Sequence, residues 1–295
     1  MNIGENFKNF CNNLIIEEET KSTISDRYEK ITQRLNKDFW NIDSTTENSL
    51  YVGSYGRRTA VRGFSDLDII FKLPLILYFK YNNYAYNGQS ALLQAVKISL
   101  QKRYPTTHLK GDGQVVSIKF TDKIEFEIVP AFEKNGGFEY PDSNDGGKWR
   151  FTNPKPEIKT IKDNHALTNC NLINLCRMTR VWRNEWNVPM GGLLIDTLAN
   201  QFLINWEYKN RSYFYYDWMA RDFFLYLSNQ NTQQYYWKAL GSGQHISRKG
   251  VFEDKAKRCY NLALYAIKCD SEKLYVLANK TWREIYGTAY SNESN

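Results

Sequence analysis

Asp66 and Asp68 flank Leu67 at the mouth of an apolar run, Ile69-Ile70-Phe71, that reaches Pro74. A short run of β-branched and aromatic residues closed by proline reads as a strand. Side chains alternate along a strand, so Asp66 and Asp68 project to one face while Leu67, Ile69 and Phe71 project to the other. Two carboxylates side by side raise each other's pKa unless a positive charge stands between them. Mg²⁺ is the natural counter-charge: it takes hard oxygen ligands and is usually held by one or two carboxylates plus substrate phosphates.

A third acid is within reach of the same argument. In KIEFEIVPAF, Ile124, Phe126 and Ile128 alternate with Glu125 and Glu127. With the apolar set packed inward, both glutamates take the opposite face. If this strand lies beside the first, one of them completes a three-carboxylate cluster. Such a cluster holds two metal ions, one activating an attacking hydroxyl and the other steadying a leaving phosphate. Gly53 and Ser54 follow a short strand in LYVGSYG, with Ser54 twelve residues before Asp66. The amides of such a turn and the Ser54 hydroxyl suit β- and γ-phosphate oxygens. No GxxxxGK[ST] segment is present, which excludes a P-loop. Each pair of acids taken singly reads as a turn or a solvated strand face; the conjunction with the Gly-Ser turn is what points to a site.

The chain has 295 residues and divides by pattern into two parts. Residues 5–40 read as helical from the spacing of Phe7, Phe10, Cys11, Leu14 and Ile15, with STIS around Ser22 as the point where the helix breaks or bends. A helix from Gly88 to Tyr104 takes Ser90 as its N-cap. The segments 113–122 and 123–132 read as strands around a turn at Thr121-Asp122-Lys123, so this part mixes helices and strands in an α+β order. GGFEYPDSNDGGKWRFTNPKPE reads as a connector, and helices are predicted over 160–187, 191–209, 213–228, 252–269 and 271–287, with a loop over 241–250. The predicted domains are 1–157 and 158–295, with a cleft between them.

Composition narrows the chemistry. Hydrophobic content of 42% and charged content of 24% are those of a folded globular chain. No window of 18 apolar residues occurs and the first ten residues lack a secretion pattern, so a soluble, cytoplasmic protein with no membrane partner is expected. Cys11, Cys170, Cys176, Cys259 and Cys269 form no CxxC pair and there are three histidines, which argues against zinc and against Ser-His-Asp or Cys-His catalysis. The net charge is +7. Lys148, Arg150, Lys155, Lys159 and Lys162 share a window with one acid, Glu157, and Arg177, Arg180 and Arg183 share one helical face. Either cluster is a solvated face or a seat for an anion.

These residues resemble the DNA polymerase β-type nucleotidyltransferase superfamily, and more narrowly the cGAS/DncV-like nucleotidyltransferases, the CD-NTases of bacterial CBASS antiphage systems. GSYGRRTAVRGFSDLDIIF is similar to that family's GS, Arg-x-Thr and S-D-[IL]-D pattern. FEIVPAF is similar to the strand that carries the third carboxylate three residues before proline, which selects Glu127 over Glu125. RFTNPK at 150–155 is similar to the family's crossing segment, and TWREIYG at 281–287 to its closing helix. LINLCRMTRVWRNEWN is similar to the helix whose basic residue reaches the nucleotide triphosphate, with Arg180 at the position usually held by Lys. The chain departs from the family at Glu127, where Asp is usual, and in PMGGLLID, where Gly191 and Gly192 replace a Ser and Asp196 takes the acid position.

The resemblance implies an α+β, polymerase β-like nucleotidyltransferase core plus a C-terminal helical domain like the OAS/poly(A) polymerase substrate-binding domain. It implies Asp66, Asp68 and Glu127 as catalytic ligands of two Mg²⁺ (Mn²⁺ as substitute), and Gly53, Ser54 and Arg180 as nucleotide-binding residues. It further implies nucleoside triphosphates (ATP, GTP or pyrimidine NTPs) as substrates, a cyclic di- or oligonucleotide as product, a downstream effector that binds the product, and an activating RNA. The same carboxylates serve a linear nucleotide-adding transferase equally well. A nucleic-acid-binding module with a vestigial site is the remaining alternative, motivated by the basic segment 148–162 and by Arg248-Lys249. Helical aromatics such as those in RSYFYYDWMARDFFLYL are expected mainly in the core.

Overall fold

The computed structural model describes residues 3–63 and 66–290. Phe64 and Ser65, which precede Asp66 in the acidic motif, lie outside the described residues. Along the chain, α1 (Ile3–Asn13) and α2 (Glu18–Phe39) precede β1 (Ser49–Tyr51), the single turn α3 (Gly53–Gly56), β2 (Leu67–Lys72), α4 (Leu75–Asn82) and α5 (Gly88–Gln101). Five strands follow: β3 (His108–Asp112), β4 (Val115–Lys119), β5 (Glu125–Lys134), β6 (Gly137–Asp142) and β7 (Lys148–Thr152). The rest is mostly helical: α6 (Pro154–Leu167), α7 (Asn171–Glu185), α8 (Gly192–Asn205), α9 (Tyr216–Ser228), the small hairpin β8 (Tyr236–Lys238) and β9 (His245–Ser247), then α10 (Glu253–Ser271) and α11 (Tyr275–Tyr286).

The chain separates into a sheet unit, Ile16–Arg57 with Ser65–Lys155, and a helical unit, Met1–Ile15 with Arg58–Phe64 and Pro156–Asn295. The sheet unit holds a seven-stranded sheet in the order β1-β2-β5-β4-β3, with β6 on the far half of β5 and β7 on β6. Strand β2 runs parallel to β5 and antiparallel to β1. Leu67, Ile69 and Phe71 of β2 join Val116, Ile118, Phe126 and Ile128 on one face, where Ile24, Ile31 and Leu35 of α2 and Leu92, Val96 and Leu100 of α5 cover them. Period 2 is thus realised as a buried layer, and the alternate residues of β2 and β5 face away from those helices.

The helical unit packs around its own core. Phe7 and Phe10 of α1 meet Trp282, Tyr286 and Tyr290 at ring separations of 4.8–5.4 Å, beside Trp182, Leu198 and Phe224. The aromatic-rich α9 contributes Tyr216, Phe223 and Phe224 to this core.

Several boundaries differ from the sequence reading. The break in the N-terminal helix falls between Asn13 and Glu18, not at Ser22, which lies inside α2. Glu18 and Glu19 in the first turn of α2 complement the positive end of the helix dipole, which favours a start there. The predicted helix 160–187 is two helices, because Asn169 and Cys170 take left-handed backbone angles that end α6. The connector after Lys134 contains the β6–β7 hairpin; its Asp145, Gly146 and Gly147, all at positive φ, form the turn rather than a linker. The predicted loop 241–250 includes β9. Asn87, not Ser90, caps α5, accepting from the Ser90 amide at 2.9 Å. The single cut expected after residue 157 falls between Lys155 and Pro156, and α1 and Arg58–Phe64 belong with the helical unit because Phe7, Phe10, Leu14 and Val61 pack into its core. Among the described residues no helix is long and apolar enough to cross a membrane.

Candidate active site

The parallel pairing of β2 with β5 sets Asp68 directly opposite Glu127, and Ser117 of β4 flanks Glu127 on its other side. Asp66 stands one residue before β2 on the same side as Asp68. The antiparallel ladder from β1 continues one step as Val52 donates its amide to the Asp68 carbonyl at 2.9 Å. That bond brings the turn α3 against the carboxylate. Gly53 takes φ +58, and a Cβ there would lie 1.7 Å from Asp68 Oδ2. Both the left-handed angle and the missing side chain are therefore required at this position.

The carboxylates are crowded with little to neutralise them. Burial, and next the charge of Asp66, push Asp68 up to about 6 against the pull of the Arg57 guanidinium. Glu127 is pushed up to about 7 by burial and then by Asp68, Asp66, Glu125 and Asp112. Asp66 is also raised, by burial and by Glu125, with Lys119 acting the other way. Glu125 has its own partner, Lys119 Nζ at 3.5 Å; among the described residues no cation pairs with Glu127. Of the two glutamates on this strand face, Glu127 is the one opposite Asp68 and lacking a counter-charge.

A divalent cation fits this donor set by its chemistry: hard carboxylate oxygens that hold one another's pKa up and would release protons to a metal. Among the described residues the side chains have not closed into a ready-made ligand cluster. Asp66, Asp68 and Glu127 are the residues that would hold the cation.

Arg180 has a different setting from the others. It belongs to the helical unit, whereas Gly53, Ser54, Asp66, Asp68 and Glu127 stand together in the sheet unit. It is 3% exposed, and its guanidinium forks onto Asp196, Nη1 to Oδ1 at 2.6 Å and Nη2 to Oδ2 at 2.8 Å. Nη1 also donates to the Cys176 carbonyl and Nη2 to the Gly192 carbonyl, both at 3.2 Å. Thr59 Oγ1 donates to Asp196 Oδ2 at 3.0 Å, so the Arg-x-Thr segment ends in a buried Thr59–Asp196–Arg180 network. One helical turn earlier, Arg177 donates to the carbonyls of Ala60 and Arg58.

Three features escaped the sequence reading. Arg57 is 5% exposed and acts on Asp68 as its nearby positive charge; among three arginines in one loop, sequence gave no reason to choose it. Thr59 pairs with Asp196, 137 residues away, a separation at which spacing carries no signal. The basic segment 148–162 is mostly ion-paired: Lys148 with Asp145, Arg150 with Asp142, Lys155 with Glu133 and Lys159 with Asp163. All four of those acids lie outside the window, which is why the window looked uncompensated.

Comparisons with known proteins bear on the fold and the family. No curated protein matches the chain in sequence. Among solved structures it is similar to the Vibrio cholerae DncV cyclic AMP-GMP synthase, a prokaryotic cGAS homolog (TM-score 0.71, 13% identity, 99% of this chain and 98% of that one). It is also similar to the Bradyrhizobium diazoefficiens CD-NTase CdnG in complex with GTP (0.70, 10%, 98% and 96%) and to E. coli MS115-1 CdnC with ATP (0.66, 14%, 98% of both chains). At such identities the likeness is one of fold. Residues 1–164, more than half the chain and including Asp66, Asp68 and Glu127, match the Second Messenger Oligonucleotide or Dinucleotide Synthetase (SMODS) domain. The chain therefore belongs to the SMODS family, the CD-NTases of cGAS/DncV-like type.

Proposed function

We propose that this chain joins nucleoside triphosphates into a cyclic di- or oligonucleotide with release of pyrophosphate. The observation that carries the reading is the juxtaposition of Asp68 with Glu127 across two parallel strands, with the Gly53 backbone held against the Asp68 carboxylate. Family membership and the nucleotide complexes of similar structures support the substrate class.

In this reading a ribose hydroxyl oxygen of one nucleotide attacks the α-phosphorus of another. The new P–O bond forms as the bridging bond to the β-phosphate breaks, the hydroxyl proton leaves to a base or water, and pyrophosphate departs; a second round closes the ring. Two Mg²⁺ at Asp66, Asp68 and Glu127 would supply activation of the hydroxyl and charge neutralisation at the phosphates. The chain itself contributes placement. Gly53 allows a phosphate to approach the backbone without a side chain in the way, Ser54 carries a hydroxyl suited to phosphate oxygens, and Arg57 sets a positive charge near Asp68. No protein nucleophile is needed, since positioning and electrostatics supply the rate. Arg180 is assigned a positioning role: its fork to Asp196 fixes the loop that carries Thr59.

The product is proposed to act as a CBASS antiphage signal read by a separate effector. RNA activation has weaker support, because the basic segment that motivated it is largely ion-paired. The test incubates the protein with Mg²⁺ and all four NTPs, each labelled in turn, with and without structured RNA. A phosphatase-resistant product identified by mass spectrometry supports the reading. A ladder of linear products, or no product from any NTP, overturns it.

A further inference from the structure

The helical unit contains a groove of about 560 Å³ unrelated to the carboxylates. Gln201 of α8, Gln230, Asn231 and Gln234 after α9, and the strand β8 line it. Ligand pockets commonly fall in this size range. Its chemistry is unusual: four carboxamides, exposed tyrosines, a single cation (Lys238) and no carboxylate.

Each carboxamide is only partly used inside the protein. Gln230 Nε2 donates to the Tyr226 carbonyl at 3.1 Å and Gln234 Nε2 to the Tyr236 carbonyl at 2.9 Å. Gln201 Oε1 accepts from the Tyr226 hydroxyl at 3.2 Å and Asn231 Oδ1 from the Gln233 amide at 2.9 Å. Two side-chain carbonyls and two side-chain amino groups are left to bond outward. Trp237 of β8 turns its side chain into the core. It is 4% exposed, and its indole N–H is buried with no acceptor. Its ring packs on Phe252 in the core, so it supports β8 from behind, while Tyr236 and Lys238 take the other strand face.

The walls are also braced. Arg248 donates to the carbonyls of Asn231 (2.7 Å) and Gln234 (2.6 Å), pairs with Glu253 (2.8 Å), and lies 4.9 Å from the Trp237 ring centroid. Tyr235 at the rim is 78% exposed and offers an open aromatic face.

We propose that this groove is a second nucleotide-recognition site, taking an unpaired nucleobase against Tyr235 and reading its edge with the Gln/Asn amides. Carboxamides match the mixed donor and acceptor edge of a base, and an aromatic face accepts any base by stacking. The single cation suits one phosphate; a polyphosphate would call for more. The base comes either from a free nucleotide or from single-stranded RNA, which share this chemistry.

The test uses the full chain carrying Asp68→Asn and Glu127→Gln, without divalent metal, so that binding is read independently of catalysis and of the reading of the carboxylate site. Nucleoside monophosphates and short unstructured RNAs are titrated, and contact is mapped by photo-crosslinking with 4-thiouridine. The expected result is saturable binding, a crosslink in the 230–238 segment, and weakening of at least about fivefold by Tyr235→Ala and by Gln230→Ala. Gln234→Ala, on the same wall, should weaken it likewise with an unchanged melting temperature. Saturation by monophosphates identifies a free nucleotide as ligand, and binding of RNA alone identifies a strand. Binding of neither, a crosslink elsewhere, or affinity untouched by all three variants overturns the proposal.

Discussion

Replacing the crowded carboxylates with their neutral isosteres should make the metal-free protein more stable. Glu127 moves from an ordinary 4.5 to about 7 and Asp68 from 3.8 to about 6. Over that interval the folded protein holds protons that the unfolded chain has lost, so stability falls as pH rises from about 4.5 to about 7 and stays low above it. At 1.36 kcal/mol per pKa unit each group costs roughly 3 kcal/mol at pH 8. Glu127 is half-buried and the two groups share one repulsion, so screening reduces the sum to about 3 kcal/mol. Urea unfolding in chelator at pH 8 should therefore find Asp68→Asn/Glu127→Gln more stable than wild type by about this amount. At pH 5 the gap should shrink, since both carboxyls are then mostly protonated when folded. Adding Mg²⁺ should raise the wild type and leave the variant unchanged. A variant no more stable than wild type at pH 8, or a gap of equal size at pH 5, would refute the account of crowded charges.

Other substitutions test the remaining links. Gly53→Ala should cost about 1–2 kcal/mol of stability from the left-handed backbone alone. Its Cβ must also displace the Asp68 carboxylate; turnover should fall by about 100-fold or more, the scale expected when a catalytic group is misplaced by an ångström, and wild-type kcat in Gly53→Ala would contradict the close approach. Arg180→Ala should destabilise by about 3–5 kcal/mol, because it takes the Arg180 fork away from the buried Asp196 carboxylate. If Arg180→Ala instead kept full stability and raised KM for NTP, the arginine would be a phosphate contact after all. Glu127→Asp keeps the charge and should retain activity with a changed metal preference, whereas Glu127→Gln should lose it; equal turnover of the two would argue against a ligand role.

Much of the sheet unit was legible because its pattern is local. Leu67, Ile69 and Phe71 on one side and Asp66 and Asp68 on the other follow from alternation alone, and so does the split of Phe126 and Ile128 from Glu127. Where glycine, proline and asparagine were dense, the reading failed: the same residues that mark a linker also make the turn of the β6–β7 hairpin. The N-terminal helix shows another limit. Its apolar face was visible, but nothing in Phe7 or Phe10 says that it packs on Trp282 and Tyr286, far along the chain.

The sequence by itself determined which residues carry acidic chemistry and which strand faces they share, since those depend only on the period of the backbone. Only the tertiary structure decided their electrostatics. The parallel register of β2 and β5 puts Asp68 opposite Glu127, and Lys119 takes up Glu125 and not Glu127. Arg180 is the converse case: its charge was plain in the sequence, yet the fold buries it against Asp196 and Thr59. Pairing across such separations depends on how segments pack, and a charge acts on whatever the packing sets beside it.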